Sequence, residues 1–254
     1  MEKLVIIPTY NEKENIEAIL QAIFDLKQDF HVLVIDDGSP DGTAEIVRQL
    51  QPRYDYKVFL EERRGKLGLG TAYIHGFKWA VNKGYAYIFE MDADFSHNPK
   101  DLPRLYDACK FGGADVAIGS RYVKGGGVRN WPADRIFLSK GASLYTRIIT
   151  FMPIWDPTAG FICYSKKVLE TINLDEIHFV GYAFQIEMKF AAWKLGFKIK
   201  EVPIQFEDRK HGESKMSHNI VKEGILGVLK LRWYGLFTNY RKRVKTGKAN
   251  FTEV

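Results

Sequence analysis

The first half of the chain repeats one pattern, and that pattern restricts the fold more than any other feature. A short apolar run is followed by a cluster of acidic and turn-forming residues, and then by a helical stripe. Leu4-Val5-Ile6-Ile7 reads as a buried strand leading into Pro8-Thr9-Tyr10-Asn11-Glu12. Residues 12–26 then place Ile16, Ile19, Leu20, Ile23 and Phe24 at helical spacing. His31-Val32-Leu33-Val34-Ile35 repeats the strand, Asp36-Asp37-Gly38-Ser39-Pro40-Asp41-Gly42 the turn, and residues 43–50 the helix. Strand-like residues 56–60, helical residues 69–81, a strand ending at Met91, a helix over 99–111 and a strand over 114–118 continue the series. Strands spaced by helices imply right-handed crossovers and a mainly parallel sheet, an α/β fold. Ligands of such sheets collect at the carboxyl ends of the strands. Thr9-Tyr10-Asn11, Asp36-Asp37 and Asp92-Ala93-Asp94 all fall at such ends, so they are expected on one rim.

Asp92 and Asp94 leave the strand as a pair flanking one small residue. Mg²⁺ and Mn²⁺ take oxygen ligands, and Mg²⁺ usually binds one or two carboxylates and completes its shell with water and substrate phosphates. The pair therefore suggests a metal–diphosphate clamp, against the plainer reading of an acidic turn. Pro8-Thr9-Tyr10-Asn11-Glu12 reads either as a turn with Asn11 capping the next helix, or as a nucleotide edge with Tyr10 on a base and Glu12 accepting from base or ribose. No Gly-x-Gly-x-x-Gly follows the first strand and no Gly-Lys-Ser is present, which disfavours dinucleotide and P-loop sites. Gly65, Gly68 and Gly70 read as a flexible turn. The histidines at 75, 97, 178, 211 and 218 lack zinc spacing and read as helix, turn and surface residues.

With 254 residues and 46% hydrophobic content the chain can bury one full core. A net charge of +6 points to an anionic partner: nucleotide, lipid headgroup or nucleic acid. Cys109 and Cys163 lack metal-like spacing and read as reduced buried thiols, which fits a cytoplasmic protein. The N-terminus shows no signal-peptide pattern, and no run reaches the length of a transmembrane helix. Membrane contact is expected to be peripheral.

The second half is less regular. Residues 121–131 are Gly-rich and basic and read as a mobile loop. Residues 135–150 have helical spacing, and 201–206 read as an edge strand because of Pro203. A main unit over 1–218 and an extension over 219–254 are expected. In the extension, residues 220–237 are a long apolar-rich helix with Lys222, Glu223 and Lys230 on about a third of its circumference. Arg241-Lys242-Arg243-Val244-Lys245 follows. Packing on the protein's own core is one reading of this helix. An amphipathic interfacial helix with a basic tail on anionic headgroups is the other, and the preferred one.

Taken in order, Pro-Thr-Tyr-Asn-Glu, Asp-Asp-Gly-Ser-Pro-Asp-Gly-Thr, Asp-Ala-Asp and Gly-Ser-Arg-Tyr resemble family 2 nucleotide-sugar glycosyltransferases. Asp156-Pro157-Thr158-Ala159-Gly160-Phe161, Gly181-Tyr182-Ala183-Phe184-Gln185-Ile186-Glu187 and Arg209-Lys210-His211-Gly212-Glu213-Ser214-Lys215 extend the resemblance to the dolichyl- or polyprenyl-phosphate mannose synthases, over about residues 4–221. It implies a single A-type nucleotide-sugar fold, GDP-mannose as donor, a polyprenyl phosphate as acceptor and Mg²⁺ or Mn²⁺ as cofactor. By the same resemblance Pro8, Tyr10, Glu12, Ile35 and Asp37 line the guanosine pocket. Asp92 and Asp94 contact ribose, diphosphate and metal, with Ala93 offering backbone. The family often has Gln two residues past the second Asp as a further metal ligand; here Ser96 stands there. Gln185 and Glu187 lie near the sugar, and Arg209 and Lys215 close over the donor phosphates. Arg121, Arg135 and Ser139 are the acceptor-phosphate set.

Physical chemistry supports the acceptor separately. A sugar hydroxyl needs a general base as it attacks, whereas a lipid monophosphate is already anionic and needs cations to hold it in line. Arg121, Arg129 and Arg135 fall in one short basic region, and guanidinium grips phosphate bidentately. Arg129 is read as a solvated loop charge. Two rivals remain: the same enzyme class with UDP-glucose or another donor, and a basic peripheral membrane or nucleic-acid binding protein. The second leaves three carboxylate-bearing strand ends unexplained, and no nucleic-acid partner is expected. Many members of the resembled family carry transmembrane helices after this point, so acceptor capture here is expected to rely on surface docking or on a membrane-protein partner.

Overall fold

The computed structural model describes residues 1–181, 183–208 and 218–242. In chain order the strands are β1 (Lys3–Thr9), β2 (Phe30–Asp36), β3 (Val58–Glu62), β4 (Tyr87–Glu90), β5 (Val116–Ser120), β6 (Gly127–Arg129), β7 (Ile162–Ser165), β8 (Ile199–Pro203) and β9 (Gln205–Glu207). The helices are α1 (Ile16–Phe24), α2 (Thr43–Leu50), α3 (Leu69–Lys83), α4 (Leu102–Lys110), α5 (Ala133–Thr150), α6 (Lys166–Thr171), α7 (Ala183–Lys194) and α8 (His218–Phe237).

Seven strands form one sheet in the order β3-β2-β1-β4-β7-β5-β8. β1 to β4 are parallel, as the strand–helix alternation requires, and β8 is parallel to β5. β7 alone runs antiparallel, between β4 and β5. Alternate residues of β1 feed two cores: Leu4 and Ile6 pack with α3, α6 and α7, while Val5 and Ile7 pack with α1, α2 and α4. Both faces of the sheet are thus covered by helices, which is why its central strands are apolar throughout.

Several readings need correction. α1 begins at Ile16, and Asn15 rather than Asn11 occupies the position before it; Asn11 has a left-handed φ of 58°. The stretch 201–206 divides into β8, at the sheet edge, and β9, which pairs with β6 in a separate two-stranded ribbon. Residues 121–131, read as a mobile loop, therefore contain a strand. Gly70 is not a flexible hinge: it lies inside α3, where a Cβ would meet the Phe184 ring at 2.8 Å and the Phe179 carbonyl at 2.9 Å.

Within α8, Val228 and Leu231 are buried, and the helix packs on α5 and α7. Its other face leaves Trp233 65% and Phe237 75% exposed, beside Leu226, Leu229 and Leu236. Apolar and charged residues therefore share the solvent side, instead of separating onto two faces. No helix among the described residues is long and apolar enough to cross a membrane. Residues 243–245 of the basic tail lie outside the described residues.

Candidate active site

The carboxyl ends of β2, β1 and β4 lie side by side, and the loops that leave them brace one another. Thr9 pairs in register with Asp36. Asp36 accepts from the Thr9 hydroxyl at 2.9 Å and from the backbone N–H and hydroxyl of Ser39 at 2.8 and 2.6 Å. Ser39 Oγ accepts the Asn11 N–H, Thr43 Oγ1 the Glu12 N–H, and Asp41 the Lys13 N–H. Ser39 and Asp41 thereby hold the backbone at Asn11 and Lys13 in place. Asp37 is gripped by Arg63, whose Nε and Nη2 donate to its two oxygens at 2.6 and 2.8 Å. Arg63 Nη1 donates to Thr71, which ties this corner to α3. Lys66 stacks 5.1 Å from the Tyr10 ring, and Asn15 donates to Glu12 Oε2. Ile35 is buried in the core, so only its main chain is available at this rim, while Pro8 is half-buried.

Past β4 the chain turns sharply, with Phe95 at a φ of 61° and the Ser96 N–H on Asp94 Oδ1 at 3.0 Å. His97, read from sequence as a turn residue, is buried: its ring stacks on Phe161 at 4.9 Å and Nδ1 accepts the Asp92 N–H at 3.3 Å. Burial pushes the ring pKa down to about 4, which keeps it a neutral acceptor and orients Asp92.

These residues open onto a cavity of about 580 Å³, within the usual range for small-molecule sites. It brings together Asp92, Asp94, Ser96, Gln185, Arg121, Arg135 and Ser139. Among the described residues the buried Ser96 hydroxyl meets no hydrogen-bond partner, and the buried Gln185 amide meets none in good geometry, although it lies near enough to Glu90 to offset part of the rise that burial gives that carboxyl's pKa. A Cβ at Gly160 would stand 3.7 Å from Gln185 Nε2 and 3.9 Å from His97 Cε1, so the missing side chain leaves room between them. Ala93 is buried behind the turn. Glu187 does not line the cavity. Its carboxylate accepts the backbone N–H groups of His178 and Phe179 at 2.8 and 3.0 Å and lies 3.3 Å from the Tyr240 hydroxyl, holding the approach to α7. Arg209 and Lys215 lie outside the described residues.

The two arginines are held by partners that the motif readings had not identified. Arg121 forms a two-armed bond to the fully buried Asp156 at 2.7 and 2.6 Å, and a third bond to Thr158. Burial pushes the Asp156 carboxyl up, but the Arg121 charge and its hydrogen bonds outweigh this and hold it below the usual range. Tyr122, Trp131 and Phe206 surround the guanidinium at 5.1–5.7 Å. Arg135 stacks on Trp131 at 4.0 Å and donates to Asp208 at 3.0 Å, while its buried Nε has no partner among the described residues. Ser139 accepts the Tyr122 hydroxyl at 2.6 Å. Arg129 is exposed, as expected of a solvated charge, but it ends β6 and faces Glu207 on β9 at 3.4 Å. Chemically, the cavity is lined by both hard oxygen donors and guanidinium groups.

The glycosyl transferase family 2 model matches residues 4–172. This chain belongs to that family. The glycosyltransferase is 47% identical over 225 residues to a polyprenol monophosphomannose synthase of Mycolicibacterium smegmatis, covering 89% of this chain and 84% of the relative. It is 45% identical to an undecaprenyl-phosphate mannosyltransferase of Micrococcus luteus, covering 93% and 98%. Its fold matches glucosyl-3-phosphoglycerate synthase from Mycobacterium tuberculosis, solved with Mn²⁺ and UDP, at a TM-score of 0.66 and 18% identity, covering 91% and 80%. The mannosyltransferase PcManGT from Pyrobaculum calidifontis, solved with GDP-Man and Mn²⁺, matches at 0.54 and 16%, covering 92% and 74%. These likenesses place the transferase in the A-type nucleotide-sugar fold.

Proposed function

We propose that this glycosyltransferase moves mannose from GDP-mannose to a polyprenyl monophosphate, inverting the anomeric carbon. The observation that carries the reading is the composition of one cavity, whose lining joins Asp92 and Asp94 with Arg121 and with Arg135, whose buried Nε has no partner among the described residues. A buried guanidinium N–H without an acceptor favours an anionic ligand. The relatives' names, which specify polyprenol and undecaprenyl-phosphate substrates, support the same acceptor.

In this account Pro8, Tyr10, Glu12, the main chain at Ile35 and Asp37 receive the guanosine. Asp92, Asp94 and the unpartnered Ser96 hydroxyl suit Mg²⁺ or Mn²⁺, which share a preference for oxygen ligands. When bound, the cation offsets charge on the leaving diphosphate, the electrostatic contribution that usually dominates such sites. Gln185 donates to and accepts from hydroxyls of the sugar, in the space left by Gly160. Arg121, Arg135 and Ser139 hold the lipid phosphate so that its oxygen attacks opposite the departing diphosphate. No general base is required, because the nucleophile is already an anion. Arg209 and Lys215 complete the phosphate clamp. The exposed apolar residues of α8, together with Phe137, Ile148 and Phe151 on and beside α5, support peripheral attachment to the cytoplasmic face of an anionic membrane.

The test is a donor panel of GDP-mannose, UDP-glucose, UDP-GlcNAc and GDP-glucose against one polyprenyl phosphate, with and without a chelator. The expected result is transfer from GDP-mannose alone, abolished by chelation and restored by Mg²⁺ or Mn²⁺. Transfer from UDP-glucose in its place would move the protein to a different donor, and transfer unaffected by chelation would remove the metal.

A further inference from the structure

Beneath the cavity lies a charged side chain to which the transfer reading gives no role. Lys189, on α7, is fully buried. Its ammonium donates to the Ala159 carbonyl at 2.6 Å and to the Gln185 carbonyl at 3.0 Å. Two buried carboxyl groups, Glu90 at the end of β4 and Asp156, act on it electrostatically. Burial pushes the Lys189 ammonium down to about 8. Burying a charged group costs free energy that an apolar side chain of similar volume does not, so packing alone gives no reason for an ammonium here.

Its hydrogen bonds supply one. The two carbonyls belong to two different segments that both line the cavity. Ala159 sits in the loop whose Asp156 and Thr158 hold Arg121, and it precedes Gly160, which faces Gln185. Gln185 lies in the first turn of α7 and lines the cavity. One ammonium therefore ties α7, which carries Gln185, to the loop that holds Arg121.

We propose that Lys189 is a positioning residue that keeps the donor and acceptor halves of the site in register for in-line attack. This rests on the transfer reading above. Misplacing reactants by about 1 Å can lower a rate by roughly 10²-fold without weakening either ligand's binding.

Lys189→Met combined with Glu90→Gln removes both charges and leaves no buried charge unpaired. With GDP-mannose and polyprenyl phosphate, kcat should fall by at least about 30-fold while both KM values stay within about threefold. Lys189→Arg, which retains donors, should recover most of that loss. Hydrogen exchange reads the tie without any substrate: amides of residues 156–161 should exchange at least about tenfold faster in the double variant, with those of β1 and β2 unchanged. A folded double variant with kcat within about threefold of wild type, or with unchanged exchange over 156–161, would overturn the proposal. Failure of both replacements to fold would assign Lys189 to stability and overturn it as well. If the wild-type chain transfers no sugar to any acceptor, the transfer reading fails, and the exchange measurement alone decides whether the tie exists.

Discussion

Arg121 and Arg135 have the same chemistry and line the same cavity, yet they are anchored differently. Asp156 has no exposed surface and the Arg121 side chain is only 10% exposed, whereas Arg135 and Asp208 are 22% and 33% exposed. Removing one partner of a buried pair leaves the other charge uncompensated, a loss of about 3–5 kcal/mol; a part-exposed pair contributes about 1 kcal/mol or less. Arg121→Ala should therefore lower Tm sharply and Arg135→Ala scarcely at all, as thermal unfolding would show. Equal shifts would mean that the Asp156 pair is not the anchor it resembles. Motif spacing marked both arginines, but could not reveal their partners. Asp156 is 35 residues from Arg121 in sequence, and Asp208 is 73 from Arg135. The same holds for Arg63 on Asp37 and for His97 behind Asp92. Such pairings depend on which loops the sheet order brings together.

At the scale of elements, the long apolar runs flanked by turn residues were legible because burial on both faces of a parallel sheet demands them. β6, β7 and β9 were not, since three or four residues are too few to show a period. α8 was legible as a helix, but its sides were not. Packing takes Val228 and Leu231, and leaves an apolar surface outward where segregation of charge was expected. If that surface docks on lipid, Leu229→Glu with Trp233→Glu should abolish the salt-resistant part of sedimentation with anionic vesicles while Tm stays close to wild type. The two side chains together supply roughly 3–6 kcal/mol on full burial. Unchanged sedimentation in high salt would return α8 to a purely internal packing role.

For the whole molecule, the sequence pattern established the class of fold and the rim on which carboxylates gather, because both follow from strand–helix alternation. The site itself draws on β4, β5, α5, α7 and the loops after β5 and before β7, which no single stretch announces. Assembly by the sheet puts the hard oxygen donors and the guanidinium groups on one cavity, and the account stands on that juxtaposition. Steady-state kinetics of Arg135→Ala, varying GDP-mannose and polyprenyl phosphate in turn, test it most directly. Losing a charge-assisted bond of about 1.5–3 kcal/mol should raise the lipid-phosphate KM by roughly 10- to 150-fold and leave the donor KM within about twofold. A rise in the donor KM with the acceptor KM unchanged would place Arg135 on the diphosphate and contradict the division of the cavity into a donor side and an acceptor side.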